Sequence, residues 1–239
     1  MIDELPPANN LFEYAVKVDP ATDSAEIEAL LLSLANRKQT ISLLNYYNEM
    51  PVISKVAVSI FDKGKFEVSP RDIHMEVLCK QYNTFVLLPS GESFLAKCHT
   101  VNPSRGYAVL AEFSYVKILA SLRESLRVAI DPPVDVILEA GELPITGGLQ
   151  NISLGGCCVT SLYSALSPGN TVNIHLHLTE HDAQHACICI IPATIIRKDF
   201  TPPAYLYGLR FELSKTVESE LAYFINRKQL AFIKQLHIS

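Results

Sequence analysis

Positive charge is scarce in this 239-residue chain: 20 lysines and arginines stand against 25 aspartates and glutamates, a formal net charge of −5. Non-specific binding of long DNA or RNA relies on neutralising many phosphates, so this balance argues against it. No basic half hides in the average, because from Ile118 onward 9 Lys+Arg face 11 Asp+Glu. Any phosphate ligand must be small and held by a few converging donors. A membrane-spanning run is also missing, since the longest apolar stretch, Ala186 to Ile196, is broken by Pro192 and is too short to cross a bilayer. The opening MIDELPPANN lacks the positive start and apolar stretch of a secretory signal. Six cysteines, Cys79, Cys98, Cys157, Cys158, Cys187 and Cys189, form no spaced framework of the secreted kind. We therefore expect reduced thiols packed as small apolar residues, in a cytoplasmic protein. Catalytic signatures are absent as well: there is no Gly-rich phosphate loop after a strand, no HExxH and no GxSxG elbow. The expectation is a non-enzyme without a cofactor.

What is present is a well-packed chain, 49% hydrophobic and 19% charged. Asp23 and Glu26 read as a capping box before IEALLLSLANRKQ, where Ile27, Leu30, Leu31 and Leu34 recur at helical spacing. Short β-branched or aromatic runs follow: KVAVSIFD, RDIHMEVLCK, NTFVLLP, SFLAKCHTV and GYAVLAEF, separated by Gly- and Pro-containing turns. Ser114 to Leu122 reads as the crossing to a second strand series, RVAID, VDVILEA, GGLQNIS, GCCVTSL, TVNIHLHL, ACICIIPATIIRK and YLYGLRFEL, punctuated among others at Pro132-Pro133. Thr216 to Leu236, with Val217, Leu221, Phe224, Ile225, Phe232 and Ile233, reads as a closing amphipathic helix. The fold class is mainly β, two tandem small β-barrel domains over 1–117 and 118–239.

Two stretches carry candidate chemistry. Arg123 and Arg127 stand four apart, a spacing that puts both side chains on one face of a regular element. Arginine's planar fork binds phosphate oxygens bidentately and pairs with guanine O6 and N7, which suits a small guanine nucleotide. A pair of surface arginines is the plain alternative. In NISLGG, Asn151 and Ser153 alternate on one side of a strand end while Gly155 and Gly156 permit a turn and close backbone approach. An Asx/Ser turn is the alternative there. A rival metal site would draw on His175, His177, His181, His185, Cys187 and Cys189 if the His and Cys pairs shared a face of an antiparallel hairpin. The same alternation without metal turns Val172, Ile174, Leu176 and Leu178 inward and the histidines to water, and no metal is expected.

Taken together, Arg123-Glu-Ser-Leu-Arg127 and Asn151-Ile-Ser153-Leu-Gly-Gly156 resemble the bipartite signature of the PilZ family, R-x-x-x-R followed by [D/N]-x-S-x-x-G. The resemblance covers about Leu122 to Lys234, and the N-terminal half is similar in position and strand pattern to the β-rich partner domain of YcgR-like flagellar-brake proteins. It implies a six-stranded PilZ barrel with a C-terminal α-helix, and cyclic di-GMP as ligand at the domain junction. Arg123 and Arg127 would then grip the ligand while Asn151, Ser153 and Gly156 receive it. It also implies an output through a protein partner in motility, surface attachment or biofilm formation. The apolar C-terminal helix leaves a homodimer open. Glu124 follows Arg123 where many members carry a second basic residue, and Asn151 stands where Asp is commoner. The alternative expectation is a ligand-independent interaction module on the same fold.

Overall fold

A computed structural model of the chain describes residues 11–141, 144–179 and 186–238. The described residues divide into two compact units, one of residues up to 123 together with 236–238 and the other of residues from 124 to 235.

The first unit contains β1 (Phe12–Tyr14), α1 (Pro20–Asn36), β2 (Thr40–Tyr47), β3 (Met50–Asp62), β4 (Lys65–Val68), α2 (Asp72–Gln81), β5 (Asn83–Leu87), β6 (Ser93–Asn102) and β7 (Tyr107–Ile118). Its antiparallel ladder runs β7-β4-β3-β2-β5-β6 and returns to β7 through the β6–β7 pairing, so six strands close on themselves while β1 adds to β7. Alternate positions fill the interior with Leu43, Val56, Val58, Phe66, Phe94, Leu110 and Phe113, and Ile27 and Leu31 of α1 join this core. Burying a Leu or Phe side chain contributes about 2 kcal/mol, so the α1 contacts alone decide where that helix docks.

The start of α1 differs from the sequence expectation. Asp19 is the cap, its carboxylate accepting from the N–H groups of Ala21 and Thr22 at 3.0 and 2.9 Å, and Pro20 opens the helix with a pre-set φ. Asp23 instead reaches backward to the N–H groups of Lys17 and Val18. RDIHMEVLCK, expected as a strand, is helix α2, because His74, Met75, Val77 and Leu78 bury a helical stripe and Tyr82, at φ 55, ends it in the left-handed region. Strand β2, TISLLNYY, was not among the expected runs. Ser114 to Ile118 are the end of β7, not a crossing, and a 3₁₀ turn at Leu119–Leu122 follows.

α2 locks onto β2 through a buried polar network. Asn45 Nδ2 donates to Gln81 Oε1 and to the Asn83 carbonyl, which leaves its Oδ1 to accept from His74 Nε2 at 2.9 Å. His74 Nδ1 is buried without a partner among the described groups, and burial pushes the imidazole pKa down to about 4. The folded value lies below the unfolded value of about 6.5, so stability is whole above pH 6.5 and is lost as pH falls toward 4. The loss reaches about 3 kcal/mol. Denaturant midpoints measured from pH 7 to pH 4 should fall more steeply for the wild type than for His74→Gln, which keeps a donor toward Asn45 and cannot titrate. Parallel curves would contradict this assignment.

The second unit contains β8 (Val128–Glu139), β9 (Pro144–Ser153), β10 (Gly156–Ser161), β11 (Thr171–Thr179), β12 (Ala186–Thr201), β13 (Ala204–Phe211) and α3 (Lys215–Ile238). The six strands close into a barrel in the order β10-β13-β12-β11-β8-β9. Leu138, Leu149, Ile152, Val159, Ile174, Ile195, Tyr207 and Leu209 are fully or nearly fully buried, as are Leu221, Phe224, Ile225 and Phe232 of α3. Pro132-Pro133 does not separate two strands as the sequence implied. β8 runs through it, with the irregularity absorbed between Ala129 and Val134 in the pairing with β9.

The register of the His/Cys hairpin follows the alternation in which the histidines face outward. In the β11–β12 ladder Leu176 opposes Cys189 while His175 opposes Ile190 and His177 opposes Ile188. Directly opposed residues share a face, so Cys189 turns inward and both histidines outward. His175 Nε2 lies 2.9 Å from Glu139 Oε2. His181, His185 and the Cys187 side chain lie outside the described residues, and among those described no three metal-ligating side chains cluster.

Candidate functional site

The NISLGG stretch forms the tight end of the β9–β10 hairpin, where Ser153 pairs with Gly156 across Leu154 and Gly155. Val128, Ile152, Cys157 and Leu209 are successive partners across four strands, all buried, and they mark the interior face. Asn151 and Ser153, flanking Ile152, therefore point to the opposite face. Ser153, Gly156 and Arg210 form the next rung across β9, β10 and β13, and Arg127 stands one residue before Val128, the partner of Ile152. Asn151 and Ser153 are thus on one face with Gly156 opposite Ser153, and Arg127 immediately precedes the strand that pairs with them. The face is recessed, since Asn151 is 3% and Ser153 4% exposed.

Backbone chemistry explains why these residue types stand here. Ser153 Oγ donates to the Gly156 carbonyl at 3.1 Å. A Cβ on Gly156 would sit 2.0 Å from the Leu209 carbonyl oxygen, so only glycine lets β10 and β13 approach at this rung. The Gly155 N–H donates to Ser125 Oγ at 3.3 Å, and the Gly155 carbonyl accepts from the Phe211 N–H at 3.1 Å. Ser125 belongs to the arginine stretch, so the two halves of the sequence pattern are joined by a hydrogen bond within this unit. Burial raises the Cys157 thiol well above its usual pKa, with the neighbouring Cys158 adding to the rise and the Arg127 charge opposing it. Such a thiol stays protonated and serves packing, not nucleophilic attack.

Arg123 lies elsewhere. The segment 123–127 is neither helix nor strand, so the shared-face expectation for the two arginines does not apply. Arg123 falls to the first unit, where its Nη1 donates to Glu49 Oε2 at 2.6 Å. The side chains are 15% and 5% exposed, and the guanidinium carbon sits 5.8 Å from the centre of the Tyr46 ring. Sequence reasoning missed Glu49, Tyr46, Ser125 and Arg210. A glutamate in a two-residue hairpin turn, a place that favours Asn and Gly, was the one signal available for Glu49.

The family model described as PilZ domain matches residues 121–227. No curated protein matches. Similar solved structures include YcgR of Escherichia coli in complex with c-di-GMP, at 15% identity over 90% of this chain and 95% of that one, with TM-score 0.42. The Klebsiella pneumoniae MrkH–c-di-GMP complex matches at 14% identity over the same 90% and 95%, also with TM-score 0.42. The Bacillus subtilis inhibitor of motility matches at 15% identity over 81% of this chain and 97% of that one, with TM-score 0.40.

Proposed function

We propose, from the match of residues 121–227 to the PilZ domain model, that the protein is a receptor for cyclic di-GMP and not a catalyst. The observation that carries this reading is the Ser125–Gly155 hydrogen bond, which ties the arginine segment to the hairpin bearing Asn151, Ser153 and Gly156. Arg127 supplies a bidentate cation to a phosphate or a guanine edge. Asn151 and Ser153 offer amide and hydroxyl groups from the same face, and Gly156 lets β10 and β13 approach closely enough to shape it. Arg123 adds the second cation of the pair.

Two domains, expected over 1–117 and 118–239 and dividing in sequence between Arg123 and Glu124, are joined through the arginine segment and give the ligand its effect. A ligand gripped by Arg123 and by the PilZ face together favours one arrangement of the domains over others. A protein partner in motility, attachment or biofilm formation reads that change. Small-angle scattering should therefore give different profiles with and without saturating cyclic di-GMP. Identical profiles at saturation would overturn the coupling while leaving the receptor role standing. A second reading, a ligand-independent interaction module, is favoured by one observation: Arg123 already has a carboxylate partner in Glu49. It predicts no binding by the wild type.

A further inference from the structure

The Glu49–Arg123 pair sits where turn chemistry alone would not place it. β2 and β3 pair up to Tyr47 and Met50, so Asn48 and Glu49 are the two residues of the hairpin turn. Both have positive φ, 50° and 69°, as a type I′ turn requires, and the dipeptide favoured there is Asn-Gly. Glutamate at φ 69° strains the backbone relative to glycine. Its carboxylate is nevertheless held 5% exposed against the guanidinium of Arg123 at 2.6 Å, and the adjacent strand presents Tyr46 to the same guanidinium. A turn that retains a strained, buried acid in place of glycine holds it for what the acid binds.

A guanidinium presents its N–H groups in one planar fork, and a carboxylate and a phosphate use that fork in the same way. Two anions on one guanidinium repel each other, so a phosphate must displace the carboxylate or share the cation at a disadvantage. Resting on the receptor reading above, we infer that Glu49 is an internal competitor for the ligand: it occupies Arg123 in the free protein and raises the cyclic di-GMP concentration at which the site fills. Receptor sensitivity is thereby set by a residue 74 positions from the motif arginine.

The test is a double-mutant cycle with cyclic di-GMP followed by calorimetry on the full chain. Glu49→Gln should bind about tenfold more tightly than the wild type, because one charge-assisted hydrogen bond no longer has to be broken. Glu49→Gly serves as the second variant, since it restores the favoured Asn-Gly dipeptide and keeps the hairpin folded while removing the carboxylate. In an Arg123→Ala background both substitutions should leave affinity unchanged. Weaker or unaltered binding by the Glu49 variants overturns the inference, as does an equal gain without Arg123, which would reveal general charge repulsion. Binding by the wild type in either of those cases leaves the receptor reading intact. Absence of binding in every variant overturns both.

Discussion

Replacing Arg127 by alanine should weaken cyclic di-GMP binding by at least about a hundredfold, because two charge-assisted hydrogen bonds are lost together. Arg127 immediately precedes Val128, whose strand partner Ile152 stands between Asn151 and Ser153, so the removed donor is next in sequence to the strand that pairs with the polar groups assigned to the same ligand. Arg127→Lys keeps the charge without the fork, and should recover only part of the affinity. Calorimetric titration of both variants, each checked for an unchanged thermal transition, measures the effect. An Arg127→Ala variant that binds like the wild type would remove the ligand from this face. Glu124 next to Arg123 lowers the local positive potential, so Arg127 should carry the larger share of the binding.

Gly156→Ala should destabilise the second unit by several kcal/mol, on the order of 3 to 5. The added methyl would stand 2.0 Å from the Leu209 carbonyl oxygen and 3.2 Å from the Arg210 Cα, both backbone atoms of a barrel strand that cannot step aside without breaking the β10–β13 ladder. Gly155→Ala is the contrast, since its Cβ meets only Ser125 Oγ at 3.3 Å and Ser153 Oγ at 4.0 Å. That change should leave stability within about 1 kcal/mol and act, if at all, on the arginine segment. Urea denaturation of the two variants separates these outcomes; equal stability of Gly156→Ala and the wild type would contradict the close approach. A Gly156 variant that fails to bind ligand is therefore no proof of ligand contact, because the motif glycine has an architectural task of its own.

The same division between local and non-local causes explains how much the sequence revealed. Strands of the second unit were legible because their apolar residues alternate, as in Val172, Ile174, Leu176 and Leu178, all inward. Asn151 and Ser153 were legible for the same reason, two apart on one strand. α2 was misread because its ten residues include β-branched Ile73 and Val77, and the stripe that decides it, His74, Met75, Val77 and Leu78, packs only once β2 is in place. Pro132-Pro133 misled because a strand tolerates proline where the ladder skips residues. The rival His/Cys pairing depended on parity, and the observed register puts His175 and His177 opposite Ile190 and Ile188 instead. Glu49 was invisible as a partner of Arg123 because an ion pair spanning 74 residues leaves no periodicity to read.

The receptor claim is tested most directly by titrating the purified wild-type chain with cyclic di-GMP by calorimetry, beside cyclic di-AMP as a control for phosphate recognition alone. Saturable heat with the guanine dinucleotide, and much weaker heat with the adenine one, is the predicted result, since Arg and Asn pair with guanine edges. No saturable binding of either would contradict the receptor assignment and leave the second unit as a ligand-independent interaction module.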